Sequence, residues 1–108
     1  MLSKKTCEAC KVGASKVTED EKEKYLPIIP LWTIISEDEI EKIKRDFIFK
    51  NFKEALNFTN KVGALAEEEN HHPDITTGYG KVTVVWYTHK INGLHFNDLI
   101  MAAKTDIL

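Results

Sequence analysis

The sequence predicts an α+β fold: a four-stranded antiparallel sheet with helices packed on one face, in helix-strand-strand-helix-strand-strand-helix order. Three observations predict it. Between Ile43 and Phe49, and again between Lys81 and His89, apolar and polar residues alternate with the period of two of a strand that buries one face. Between Lys53 and Asn70 the apolar residues instead recur every three and four positions, which is the period of a helix. Two hairpins separated by helical segments cannot make an all-parallel sheet, so the helices are left to cover one face of an antiparallel one.

The first helix is expected over Glu19 to Tyr25. Thr18 followed by Glu21 reads as a capping box, and Pro27 and Pro30 end the helix. Trp32 to Ile35 reads as a short strand, and Ser36-Glu37-Asp38-Glu39 as a charged turn or a single helical turn. In the second strand Phe47 and Phe49 share a face with Ile43 and Arg45. The main helix gathers Ala55, Phe58, Thr59, Val62, Leu65 and Ala66 on one stripe, and Pro73 prevents its continuation. Asp74 to Tyr79 and Lys81 to His89 form the second hairpin, with Gly78 and Gly80 giving the turn a permissive backbone. On its second strand Val82, Val84 and Trp86 point inward, which puts His89 in phase with the outward Val85 and Tyr87. Gly93 breaks the chain before a last helix, Phe96 to Leu108, whose inward face is Phe96, Leu99, Ile100, Ala103 and Ile107.

A chain of 108 residues is one domain, too short for separate substrate and cofactor domains. Its 43% hydrophobic and 30% charged residues are ordinary for a globular protein. A net charge of -2 supplies no basic field for nucleic acid or an anionic membrane. The run Ile28-Ile29-Pro30-Leu31-Trp32 is too short to cross a bilayer. Met1 to Thr6 lacks a signal-peptide core, so a cytoplasmic location is expected. Residues 1–16 read as a flexible, lysine-rich tail and 17–108 as the folded domain. Cys7 and Cys10 form C-x-x-C in that tail, a spacing that holds zinc only beside a second pair of ligands and is redox-active only in a suitable fold. A reduced, mobile segment is the expectation there.

Chemistry concentrates in Glu67-Glu68-Glu69-Asn70-His71-His72-Pro73 and in Tyr87-Thr88-His89, which together hold three of the four histidines. Imidazole both donates and accepts a proton near neutral pH, so such a cluster suits acid/base work. The three glutamates fall in the last turn of a helix, where the negative end of the dipole disfavours them. A sequence that breaks a local rule at one spot often does so for function. The alternative is a solvated helix end with incidental histidines.

Glu67, His71-His72-Pro73, Tyr79, His89 and Asp98, at these spacings, resemble the signature of the pterin-4a-carbinolamine dehydratases. The resemblance extends upstream through Trp32 and Arg45-Asp46-Phe47-Ile48-Phe49-Lys50-Asn51-Phe52, and covers about Thr18 to the C-terminus. It implies a lyase that removes water from 4a-hydroxytetrahydropterin to give quinonoid dihydropterin, in recycling of the tetrahydropterin cofactor. By the same resemblance His71, His72 and His89 are the catalytic histidines, with His71 and His89 as the acid/base pair. His72 and Glu67 then orient the pterin and the neighbouring imidazoles, while Asn70, Pro73, Thr88 and Asp98 shape the substrate pocket. Which histidine gives and which takes the proton is left open by the sequence. The implied partners are a pterin and further copies of the chain, as homodimer or homotetramer joined at sheet edges. No metal, organic cofactor, nucleic acid or membrane is implied.

Two positions depart from the family pattern. Ile75 stands where an aromatic residue is common after His-His-Pro, and His95 stands where a serine or threonine helix cap is common. The neutral ring of His95 can still accept a hydrogen bond in that place. Trp32 and Trp86 read as core residues rather than pterin platforms, Asp98 as a first-turn carboxylate that touches the site, and Glu37 to Lys44 as solvated surface. Two rival readings are a zinc site built from the histidines and a carboxylate, and a coactivator or dimerisation protein, a second role of some mammalian relatives.

Overall fold

The computed structural model describes residues 2–5 and 15–108; the C-x-x-C pair Cys7 and Cys10 lies outside the described residues. The elements are α1 (Glu19–Tyr25), β1 (Thr33–Glu37), β2 (Ile40–Ile48), α2 (Phe52–Glu69), β3 (Asp74–Gly78), β4 (Lys81–Trp86) and α3 (Phe96–Asp106). Short 3-10 turns occupy Leu2–Lys4, Leu26–Ile28 and His89–Ile91. The strands pair antiparallel in the order β1-β2-β4-β3. The expected α+β class and element order are those observed.

Local chemistry explains the elements. Thr18 and Glu21 form the expected capping box, each side chain accepting from the other's backbone N–H at 3.1 and 2.9 Å. In α1 the buried Lys22 brings its Nζ to 3.0 Å from both Glu41 oxygens and 3.1 Å from Glu19, which ties α1 to β2. The β1–β2 turn places Asp38 and Glu39 at positive φ (52° and 66°), the sense of the tight two-residue turns that match strand twist. That turn fixes Glu37 opposite Ile40, so β2 starts three residues before the expected Ile43. Charges hide the start, because Glu41 stands in phase with Ile43 and is met by Lys22. The run expected to be plain surface is therefore partly woven into the sheet.

The register puts Ile43, Phe47, Val82, Val84 and Trp86 on one face, and all five are buried. Helix α2 covers this face with Ala55, Phe58, Val62 and Ala66. The Phe58 ring lies 4.6 Å from Phe47 and 5.1 Å from Phe49, and Thr59 Oγ1 is 2.6 Å from Thr77 Oγ1 on β3. Burying rings of this size contributes on the order of 2 kcal/mol each. Helix α3 is tied to the sheet from its far end, where Asp106 Oδ1 accepts from Trp32 Nε1 at 2.8 Å and Arg45 at 2.5 Å. Among the described residues no helix is long and apolar enough to cross a membrane.

Two local expectations are corrected. Ile107 is exposed rather than inward, because α3 ends at Asp106; Met101, Ala102 and Thr105 are buried in its place, so the helix is covered on more than one stripe. Strand β4 stops at Trp86, and His89 opens a 3-10 turn instead of continuing the strand. The cause is a bridge between Thr88 and Gly93, closed by Thr88 N–H to Gly93 O at 2.9 Å and the reverse bond at 3.4 Å, which folds the chain back on itself. Near the N-terminus Leu2 is buried against α3, as an apolar side chain leaves water where a helix face offers cover.

Candidate functional site

The site begins where α2 ends. Asn70 adopts the left-handed conformation (φ 52°, ψ 41°), and its N–H reaches back to Ala66 O and Glu67 O. The N–H of His71 follows, bonding to Ala66 O at 3.1 Å. Asparagine tolerates this geometry better than other non-glycine residues. The reversal sends consecutive side chains apart: His71 keeps only 12% of its side-chain surface exposed, His72 keeps 55%. Pro73 then leads into β3.

His71 is held by α3. Its Nε2 lies 2.6 Å from Asp98 Oδ1, and its ring stacks on Trp86, 5.7 Å between centroids and 8° from parallel. Asp98 is fully buried. Its second oxygen accepts from Thr88 Oγ1 at 2.8 Å and from the backbone N–H of His95 at 2.9 Å. It is the third residue of α3, where the positive end of the helix dipole favours a carboxylate. His95 completes the reciprocal cap, Nδ1 accepting from Asn97 N–H at 2.9 Å, the capping role its position suggested. A buried carboxylate needs such partners, since uncompensated burial of charge costs several kcal/mol. With Nε2–H given to Asp98, Nδ1 is the His71 nitrogen left to meet a ligand.

The remaining residues stand differently. His72 pairs at the surface with Glu67, Nε2 to Oε2 at 2.5 Å, an exposed contact of the kind worth less than about 1 kcal/mol. His89 is exposed, its ring 4.3 Å from Tyr87, and Lys42 Nζ lies 4.4 Å over that same Tyr87 ring. The structure thus joins His71, Asp98 and Thr88 in one hydrogen-bonded set, with His89 following Thr88 directly in the chain. Glu67 and His72 form a separate pair, and Asn70 and Pro73 set the backbone path. His71 and His72 turn to different carboxylates, and among the described residues no three His, Cys, Asp or Glu side chains are grouped as a metal ion would need. Trp86 as the partner of the His71 face, and the His95 backbone as a ligand of Asp98, are additions to the set read from sequence. The second was within reach, since His95 precedes Asp98 by the capping-box spacing.

Residues 15–108 match the family model described as pterin 4 alpha carbinolamine dehydratase. A protein of Nitrosococcus oceani is 60% identical over 107 residues, spanning 99% of this chain and 95% of its own. One of Syntrophotalea carbinolica is 57% identical, spanning 99% and 96%. Both carry pterin-4-alpha-carbinolamine dehydratase as a provisional name. A crystal structure from Brucella melitensis, described as a transcriptional coactivator/pterin dehydratase, is similar with a TM-score of 0.76 at 33% identity, covering 86% of this chain and 97% of that one. A pterin dehydratase-like protein described as a RuBisCO assembly factor in the alpha-carboxysome has a TM-score of 0.60 at 22% identity, covering 70% and 86%; that likeness concerns the fold alone.

Proposed function

The chain belongs to the pterin 4 alpha carbinolamine dehydratase family, and on that premise we propose that it dehydrates 4a-hydroxytetrahydropterin, the biopterin form included, by histidine acid/base catalysis in tetrahydropterin recycling. The reaction breaks the C4a–O bond and forms C4a=N5. The hydroxyl takes a proton and leaves as water, while N5–H gives its proton to a base, so one donor and one acceptor suffice.

The observation that carries this reading is His71 Nε2 on the buried carboxylate of Asp98 at 2.6 Å. A carboxylate behind an imidazole fixes its tautomer and stabilises the imidazolium formed when the ring takes a proton. His71 is therefore assigned the base, receiving the N5 proton at Nδ1. The more exposed His89, which follows the Asp98-bound Thr88, is assigned the acid that protonates the departing hydroxyl. Thr88 acts through Asp98, while the exposed pair Glu67 and His72 orients the pterin, with Asn70 and Pro73 shaping its edge.

The test is turnover of synthetic 4a-hydroxytetrahydropterin by the purified protein, followed as quinonoid dihydropterin appears, before and after exhaustive chelation. Acceleration that survives the chelator is the expected result. Activity lost on chelation and restored by zinc would replace this reading with the metal one; no acceleration in either sample would remove the enzyme reading.

A further inference from the structure

The observations around His71 extend beyond its carboxylate. The bond to Asp98 fixes where Nε2 points, but a single hydrogen bond leaves the ring free to swivel about it. What faces the ring is Trp86, fully buried and nearly parallel at 8°. A centroid separation of 5.7 Å lies in the range of offset stacking, the arrangement aromatic pairs prefer. The indole is itself held. Its Nε1–H donates to Thr105 Oγ1 at 3.2 Å, and the Thr105 hydroxyl donates to Met101 O one turn earlier at 2.6 Å. Both are interior contacts of α3, the helix that also carries Asp98 near its start.

We infer that Trp86 is a positioning residue, which sets the ring plane of His71 so that Nδ1 faces the pterin, and that Thr105 fixes Trp86 in turn. Edge and face of the histidine are then both referenced to one helix. A rotation of the ring would move Nδ1 off the N5–H direction while leaving the Asp98 bond intact, and displacements of about 1 Å cost on the order of 10²-fold in rate. The inference rests on His71 as the reacting base.

The experiment compares Trp86→Leu, Trp86→Phe and Thr105→Val in the full chain. Trp86→Leu is expected to lower kcat about tenfold with KM within about twofold, because orientation and not affinity is lost. Trp86→Phe restores a flat ring and should recover to within about threefold of the parent. In a His71→Ala background Trp86→Leu should change nothing further, since the residue acts through His71. Ring ¹³C relaxation gives a readout independent of turnover: the Cδ2–H and Cε1–H bonds of His71 should be rigid in the parent and Trp86→Phe, and mobile in Trp86→Leu and, more weakly, Thr105→Val, with the Asp98 bond kept throughout.

Equal losses in Trp86→Leu and Trp86→Phe, an undiminished effect in the His71→Ala background, or an unchanged His71 ring in Thr105→Val and Trp86→Leu would each overturn the inference. If Trp86→Leu does not fold, Trp86→Phe and Thr105→Val decide it through the ring relaxation. A parent without dehydratase activity would sink the functional reading while leaving the positioning of His71 to be decided by that same relaxation.

Discussion

His71 and His72 are neighbours in the chain and yet stand in opposite environments, because Asn70 between them and α2 turns through the left-handed region. One imidazole is pressed between a buried carboxylate and an indole; the other meets a single exposed glutamate. Their substitutions should differ accordingly. His71→Ala and His89→Ala are each expected to slow kcat by about 10²-fold or more, the scale of a lost acid or base, whereas His72→Ala should act mainly on KM. Steady-state kinetics on the three variants check this. The assignment fails if His72→Ala abolishes turnover at saturating substrate while His71→Ala spares it. That His71 and Asp98 belong together was legible in the signature that sets His71-His72-Pro73 before Asp98. The division of His71 and His72 into an inward and an outward histidine was not, because it depends on the φ of Asn70 and not on residue type.

At the scale of elements, the contact between Lys22 and the pair Glu19 and Glu41 carries α1 on β2. Burial alone would lower the pKa of Lys22, but the hydrogen bonds it donates to Glu41 and Glu19, with their charges, outweigh it and hold the group above its ordinary 10.5. A folded-state pKa raised above the unfolded one gives stability that is fully present below the ordinary lysine value and is lost as pH rises through the folded one. Glu41→Gln should therefore cost about 0.5–1 kcal/mol at neutral pH, and the gap to the parent should close in strongly alkaline solution. Urea midpoints measured across that range decide it; a gap that persists there would mean the charge of Lys22 is not what Glu41 engages. The same contact shows why the boundary of β2 was misplaced from sequence. Glu41 and Lys42 read as surface because a charged inward position looks polar until its partner from another element is known. The strand expected to reach His89 fails for a related reason, since the Thr88–Gly93 bridge that ends it pairs residues five apart within a loop. Helix α2 and the inward set Val82, Val84 and Trp86 were legible because there one period runs without a competing tertiary demand.

For the whole molecule, β1 and β3 are the outer strands of the sheet, and unpaired strand edges invite pairing with another chain. Assembly of this protein into a homodimer or homotetramer through such an edge is our proposal; light scattering during gel filtration measures it, and a strictly monomeric mass would remove it. The proposed domain of 17–108 raises a second question at the same scale, because Leu2 is buried against α3. Burying a leucine contributes about 1.5–3 kcal/mol. Fixing the three residues of the Leu2–Lys4 turn costs about 1–2 kcal/mol each, which offsets that burial, so the turn adds little net stability. The hydrogen-bond partners of Asp98 are His71, Thr88 and His95, and the turn supplies none of them. A chain beginning at Ser15, where the family match also begins, is therefore expected to fold and to turn over within about twofold of the full chain, with a loss of at most about 1 kcal/mol. For a domain of this size that is a Tm lower by no more than about 4–8 °C. Differential scanning calorimetry and kinetics on the shortened chain check both numbers. A drop of twice that in Tm, or turnover reduced tenfold, would mean that the N-terminal residues are part of the folded unit and that the domain begins at Leu2.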